Sequence, residues 1–213
     1  MKKIFLVGIA AFLFLSCKKE KTDSAKPSLV ENNINGTFII NSASTIEWEG
    51  SKQTGKHHGT LELNYGEFTV KKGIITEGRF AINMHSIDVK DLEGKDKIKL
   101  ENHLKGINSP EITDHFFNVT KYPEATFLVT GFFKEDGSDM LEGDLTIKNK
   151  TNKIKFPISI SEVEGKVFIS SPSFEINRTL WGVTYGSKAF FDDLGDRFIN
   201  DEVYLKLNLQ ASL

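Results

Sequence analysis

The sequence predicts an all-β domain, either an antiparallel sandwich or a closed barrel, preceded by an exported leader and a polar tether. Three observations lead there. Apolar and polar residues alternate in run after run, turn signals fall between the runs, and a single helical period interrupts them. Alternation at period two is the signature of a strand with one dry face and one wet face. Closing such a sheet removes its exposed edges, which matters for a strand-rich chain without disulfides.

The first residues stand apart from that pattern. Met1-Lys2-Lys3 is basic, and Ile4 to Leu15 is an apolar run shorter than the ~20 residues a spanning helix needs. Together they read as a secretory signal peptide over residues 1–16. The run ends in "FLSC", and Cys17 is the only cysteine of 213 residues. A small residue followed by cysteine directly after the apolar run resembles a bacterial lipobox, with Phe14 where leucine is usual. That resemblance implies acylation of Cys17 and an exported protein, lipid-anchored in the bacterial cell envelope, facing the periplasm or on the outer membrane. Two or more acyl chains anchor stably where one is marginal. With no other cysteine, no intramolecular disulfide can form.

"KKEKTDSAKPSLVENNING", Lys18 to Gly36, is charged, polar and free of aromatic residues. Residues 17–36 therefore read as a flexible tether, and 37–213 as one domain. The formal net charge is -2 and the pI about 6.2. No basic patch interleaves with aromatic residues, which argues against a nucleic-acid partner.

In chain order, Ile46 and Trp48 alternate with Thr45, Glu47 and Glu49, and Leu61, Leu63 and Tyr65 with Glu62 and Asn64. Phe80, Ile82 and Met84 alternate with Arg79, Ala81 and Asn83. Ala125, Phe127 and Val129 follow, then Leu145 and Ile147, then Ile154, Phe156, Ile158 and Ile160, and last Val203, Leu205, Leu207 and Leu209. Turn signals sit at Gly50, Tyr65-Gly66, Gly73, Asp136-Gly137, Asn149-Lys150 and Glu164-Gly165. One segment differs. Glu93 to Ile107 places Leu100, Leu104 and Ile107 at i, i+4 and i+7, a short amphipathic helix. It leads into "TDHFFNVTKYP", where Phe116 and Phe117 sit in no clean period ahead of a strand. Helix and aromatic turn are placed to cap one end of a barrel.

The stretches "IEWEGSKQTGKHHGTLEL", "GRFAINMHSIDV", "DHFFNVTKYPEATFLVTGF", "LEGDLTIKNKTNKIKFPI", "FEINRTLWGV" and "NDEVYLKLNLQA" occur in this order. In that order they resemble the YceI-like family over about Thr37 to Ser212. The most specific parts are Phe116 to Phe127 and Gly143 to Lys148. The connection "GINSPEIT" is longer than the family's usual Ser-Asp segment. The resemblance implies an antiparallel eight-stranded lipocalin-like barrel with a short helix capping one end. It also implies an elongated apolar cavity along the axis that takes a polyisoprenoid lipid, a polyprenyl chain or a quinone.

The residues nominated to line that cavity are Trp48, Leu61, Leu63, Phe80, Ile82, Met84, Leu104, Phe116, Phe117, Phe127, Val129, Leu145, Ile147, Phe156, Phe174, Ile176, Trp181, Leu205 and Leu207. Alternation alone does not separate a wall from a core, because an eight-stranded interior either fills with its own side chains or holds one ligand. A packed structural barrel with no ligand is therefore one alternative. The other is a metal- or haem-type binding protein using His57, His58, His85, His103 and His115. Against it, the histidines form no helical i, i+4 pair and have no cysteine partner after Cys17. No metal or catalytic residue is assigned and no enzyme is expected. "YGSKAF" lacks the second glycine of a nucleophile elbow, and "FDDLGDRFINDE" does not match a calcium loop. The remaining partners are a lipid ligand and the membrane, with the oligomeric state open.

Overall fold

The computed structural model describes residues 34–213. The signal peptide, Cys17 and most of the expected tether lie outside the described residues. Ile34 is buried in the core, and its carbonyl accepts from the Gly73 N–H at 3.1 Å. Packing therefore already includes residue 34, three positions before the expected start of the domain.

Ten strands follow: β1 (Gly36–Ile40), β2 (Thr45–Lys52), β3 (Gly55–Lys71), β4 (Ile74–Val89), β5 (Glu124–Glu135), β6 (Ser138–Ile147), β7 (Lys150–Val163), β8 (Lys166–Ser170), β9 (Phe174–Asn177) and β10 (Ile199–Ser212). All pairings are antiparallel, and β2 to β8 pair in chain order. β10 closes the ring by pairing β2 on one edge and β8 on the other. β1 extends the position of β2, pairing β3 at Glu67 to Val70 beyond the stretch that β2 occupies. β9 extends β8 along β10 in the same way. Ten strands thus fill eight ring positions, so the chain forms the closed barrel, not the sandwich, with the strand number that the resemblance implies. One helix, α1 (Gly94–Lys105), lies between β4 and β5.

Four two-residue hairpin loops make most of the turns: Lys72-Gly73, Asp136-Gly137, Lys148-Asn149 and Glu164-Gly165. Both residues of each have positive φ. That is the type I′ geometry whose twist matches the strands it joins. Two expected turns are not turns. Gly50 lies inside β2, and Tyr65-Gly66 lies inside β3. At Tyr65 the pairing with β4 shifts by a residue. This bulge swaps the faces of the strand, so Leu61 and Leu63 point inward, then Gly66, Phe68 and Val70 do. Tyr65 faces outward instead, against Arg79 and Glu67.

The end of the barrel away from α1 is solid. Phe38, Phe68, Phe80, Phe127, Phe156 and Phe174 make a ring-to-ring belt, with successive centroids 5.6, 6.3, 6.4, 5.7 and 4.2 Å apart. Aromatic pairs at these separations add about 0.5–1.5 kcal/mol each beyond burial. Glycines make the room. Gly66 pairs Phe80 across the ladder and Gly78 pairs Phe68. A Cβ on Gly143 would lie 2.2 Å from the Phe127 ring. Beyond the belt, Val70, Ile75, Leu141, Ile158, Val167, Ile169 and Ala211 complete the packed end.

Candidate functional site

The other end is built around α1. Gly106 ends the helix at a φ of 69°, and its N–H donates to the carbonyls of Asn102 and His103. A side chain there would meet the Thr113 carbonyl at 2.2 Å, so the tight return into the aromatic turn requires glycine. Two bonds dock that turn on the helix: Phe117 N–H to the Leu104 carbonyl at 3.1 Å and Val119 N–H to the Lys105 carbonyl at 2.9 Å. Lys148 Nζ donates to the Phe116 carbonyl at 2.7 Å, and burial pushes its pKa down. On the barrel side, Glu101 accepts from the Val89 N–H at 3.0 Å and Lys97 pairs with Asp88 at 2.6 Å. Hydrogen bonds from Lys90 and Lys97 hold the Asp88 carboxyl at about 2.

Opposite the helix, a 3-10 turn at Arg178–Trp181 crosses the barrel mouth. Arg178, 4% exposed, donates from Nε to the Asn200 carbonyl, from Nη1 to that of Val183 and from Nη2 to that of Ile199, at 3.0, 2.6 and 3.0 Å. Asp201 supplies the acid, at 3.4 Å. Trp181 is buried with Nε1 donating to the Leu145 carbonyl at 2.8 Å.

Between these caps and the aromatic belt lies a cavity of about 410 Å³. Of the residues nominated from sequence, Trp48, Leu61, Ile82, Met84, Leu104, Phe116, Phe117, Leu145, Ile147, Ile176, Trp181 and Leu205 border it. Phe80, Phe127 and Phe174 lie one inward position beyond Ile82, Ala125 and Ile176, and Phe156 joins them in the belt. Leu63, Val129 and Leu207 pack against the core without bordering the cavity. Phe116 and Phe117, adjacent in sequence, both face the cavity because the turn between helix and β5 does not alternate as a strand would.

The wall also includes residues not nominated from sequence, chief among them Ala125, Val183, Tyr185, Ile199 and Asn200. Ala125 carried an alternation signal, whereas Ile199 lies ahead of the run that starts at Val203. Val183 and Tyr185 sit in a loop, where no period exists to find them. Lys52, Gly55 and Arg197 are exposed and mark the mouth. No aspartate or glutamate is among the bordering residues described. Trp48 Nε1 is a buried donor with no acceptor among the described residues.

The histidines do not converge. His58 and His85 are exposed, His57 Nδ1 lies 2.8 Å from Asp91, and His103 Nε2 lies 2.9 Å from His115 Nδ1. Among the described residues, no three of His, Cys, Asp or Glu come together as a metal-holding group. His103 and Tyr185 border the cavity, and His115 stacks on Tyr185 with ring centroids 3.9 Å apart. Burial, then the charges of His115 and Lys99, lower the pKa of His103 below the ordinary histidine value. The unfolded chain therefore takes up this proton first. The contribution of His103 to stability is full above its unfolded value and lost as pH falls through the lower folded value. His103→Phe is expected to shrink the drop in denaturant midpoint between about pH 7 and about pH 5. An undiminished drop assigns it to other groups.

A family model described as the YceI-like domain matches residues 38–211. The chain belongs to the YceI-like family. Two solved structures are similar to this YceI-like domain. The crystal structure of Burkholderia cenocepacia BcnA is 18% identical with a TM-score of 0.63, over 81% of this chain and 99% of that one. A polyisoprenoid binding domain from Saccharophagus degradans, implicated in plant cell wall breakdown, is 12% identical with a TM-score of 0.56, over 84% and 99%. At these identities the likeness is one of fold. None of the curated proteins matches. In this YceI-like chain the long connection after α1 folds as the Gly106 cap and a 3-10 turn at Pro110–Ile112.

Proposed function

We propose that this chain binds an apolar isoprenoid-type lipid, a polyprenyl chain or a quinone tail, in the cavity under α1. The observation that carries the reading is an apolar cavity between a packed floor and an open mouth, inside a family fold that in the Saccharophagus neighbour is described as polyisoprenoid-binding. Burying a methylene contributes about 0.8 kcal/mol, so one isoprene unit contributes roughly 3 kcal/mol. A few units offset the ~4–15 kcal/mol cost of association and ordering without any ion pair. Lys52 and Arg197 at the mouth leave a ligand's polar end in water beside cations. The wall is mostly hydrocarbon, and we read the protein as a binder or carrier and not as an enzyme.

The test is native mass spectrometry of purified protein with organic extraction of what co-purifies. An apolar molecule of isoprenoid mass is expected. A protein that carries none, and takes up no prenyl alcohol when offered it, overturns the reading.

We place this activity in the bacterial cell envelope, with the barrel tethered through acylated Cys17. The basis is the sequence of the leader alone. Cys17→Ser is expected to move the protein from the membrane to the soluble fraction. Wild-type protein that is already soluble and bears no acyl mass removes the anchor while leaving the lipid-binding proposal standing.

A further inference from the structure

We infer that the aromatic belt is a stop, and that it limits the sequestered tail to about three isoprene units. The inference rests on the lipid-binding reading and specifies its ligand class: short-chain prenyl groups are held whole, and longer ones by their end alone. On β4 the inward residues run Met84, Ile82, Phe80, and the cavity ends at Ile82. On β5 it ends at Ala125, with Phe127 next. The Phe127 ring is wedged between Phe80 and Phe156, with centroids 6.4 and 5.7 Å away, and over Gly143.

None of the belt rings borders the cavity, and at the far end Val70, Val167 and Ala211 are fully buried. An apolar cavity of about 150 Å³ takes one benzene, roughly 25 Å³ per carbon. At that packing about 410 Å³ holds about 16 carbons, close to three isoprene units. A longer chain has nowhere to go but out past Lys52 and Arg197, where its added carbons stay in water.

The experiment is competition among prenyl alcohols of two, three, four and nine isoprene units, offered together to the full-length protein and read as relative occupancy by native mass spectrometry. Up to the stop, each carbon buried raises affinity about fourfold. The three-unit alcohol is expected to exceed the two-unit alcohol by at least about a hundredfold, and the four- and nine-unit alcohols to gain less than about tenfold beyond that. A steady rise through nine units overturns the stop but not lipid binding. Absence of every alcohol overturns both.

Two variants move the stop in opposite directions. Ala125→Leu adds three carbons to the cavity floor and is expected to bring the advantage of three units over two below about a hundredfold. Phe127→Leu shortens the plug and is expected to extend the gain to four units. Wild-type preferences retained in both folded variants also overturn the inference.

Discussion

Phe127→Ala is expected to lower the unfolding free energy by about 3–5 kcal/mol, a loss typical of removing a packed aromatic ring. Phe127 is 8% exposed and sits in mid-belt, between Phe80 and Phe156. Three things fail together on its removal. Its buried area is lost, two ring contacts are lost, and Gly143, with no side chain of its own, cannot fill the gap. Phe117→Ala makes the contrast. Phe117 is half-buried on the cavity wall, and removing a ring that already faces a cavity leaves less new void. Its cost is expected to stay under about 2 kcal/mol, while bound lipid falls. The measurement is denaturant unfolding of both variants stripped of ligand. Equal losses in the two would mean that the belt and the wall are the same kind of packing.

The second large effect is expected at Arg178. Arg178→Met is expected to cost about 3–5 kcal/mol, the scale of breaking a buried charged network by removing one partner. Methionine preserves bulk but leaves the carbonyls of Val183, Ile199 and Asn200 without their donor. Those carbonyls belong to the loop that crosses the mouth and to the segment entering β10. The loss should therefore appear locally, as faster amide exchange of Val183 to Ser187. Arg178→Lys is expected to recover less than half of it. One ammonium cannot reach three carbonyls that a planar fork spans. A midpoint within error of wild type for Arg178→Met would mean that water replaces the guanidinium at no cost.

What was legible in the sequence follows from which interactions are local. Alternation reports one dry face, and it located most of the strands and the inward residues Phe80, Ile82, Ala125, Phe127 and Leu205. Asp136-Gly137 and Glu164-Gly165 reported their hairpins because positive φ is a property of the residues themselves. The i, i+4, i+7 spacing of Leu100, Leu104 and Ile107 reported α1, although the helix ends at Lys105 and not at Ile107. Tyr65-Gly66 misled because a bulge forms only when two strands of unequal length are brought into register.

By itself, then, the sequence determined an antiparallel all-β chain with one helix and the inward face of most strands. Family motifs from Phe116 to Phe127 and from Gly143 to Lys148 led to an eight-stranded closed barrel. The sequence could not separate wall from floor. Ile82 and Phe80 carry the same alternation signal, yet one borders the cavity and the other closes it. That difference depends on Phe68, Phe127 and Gly66, which arrive from two other strands. Likewise the main partners of Arg178 are backbone carbonyls about five and more than twenty residues away. Only the tertiary structure decided these points, because ring stacking, close approach to glycine and carbonyl convergence are made between elements and leave no period along the chain.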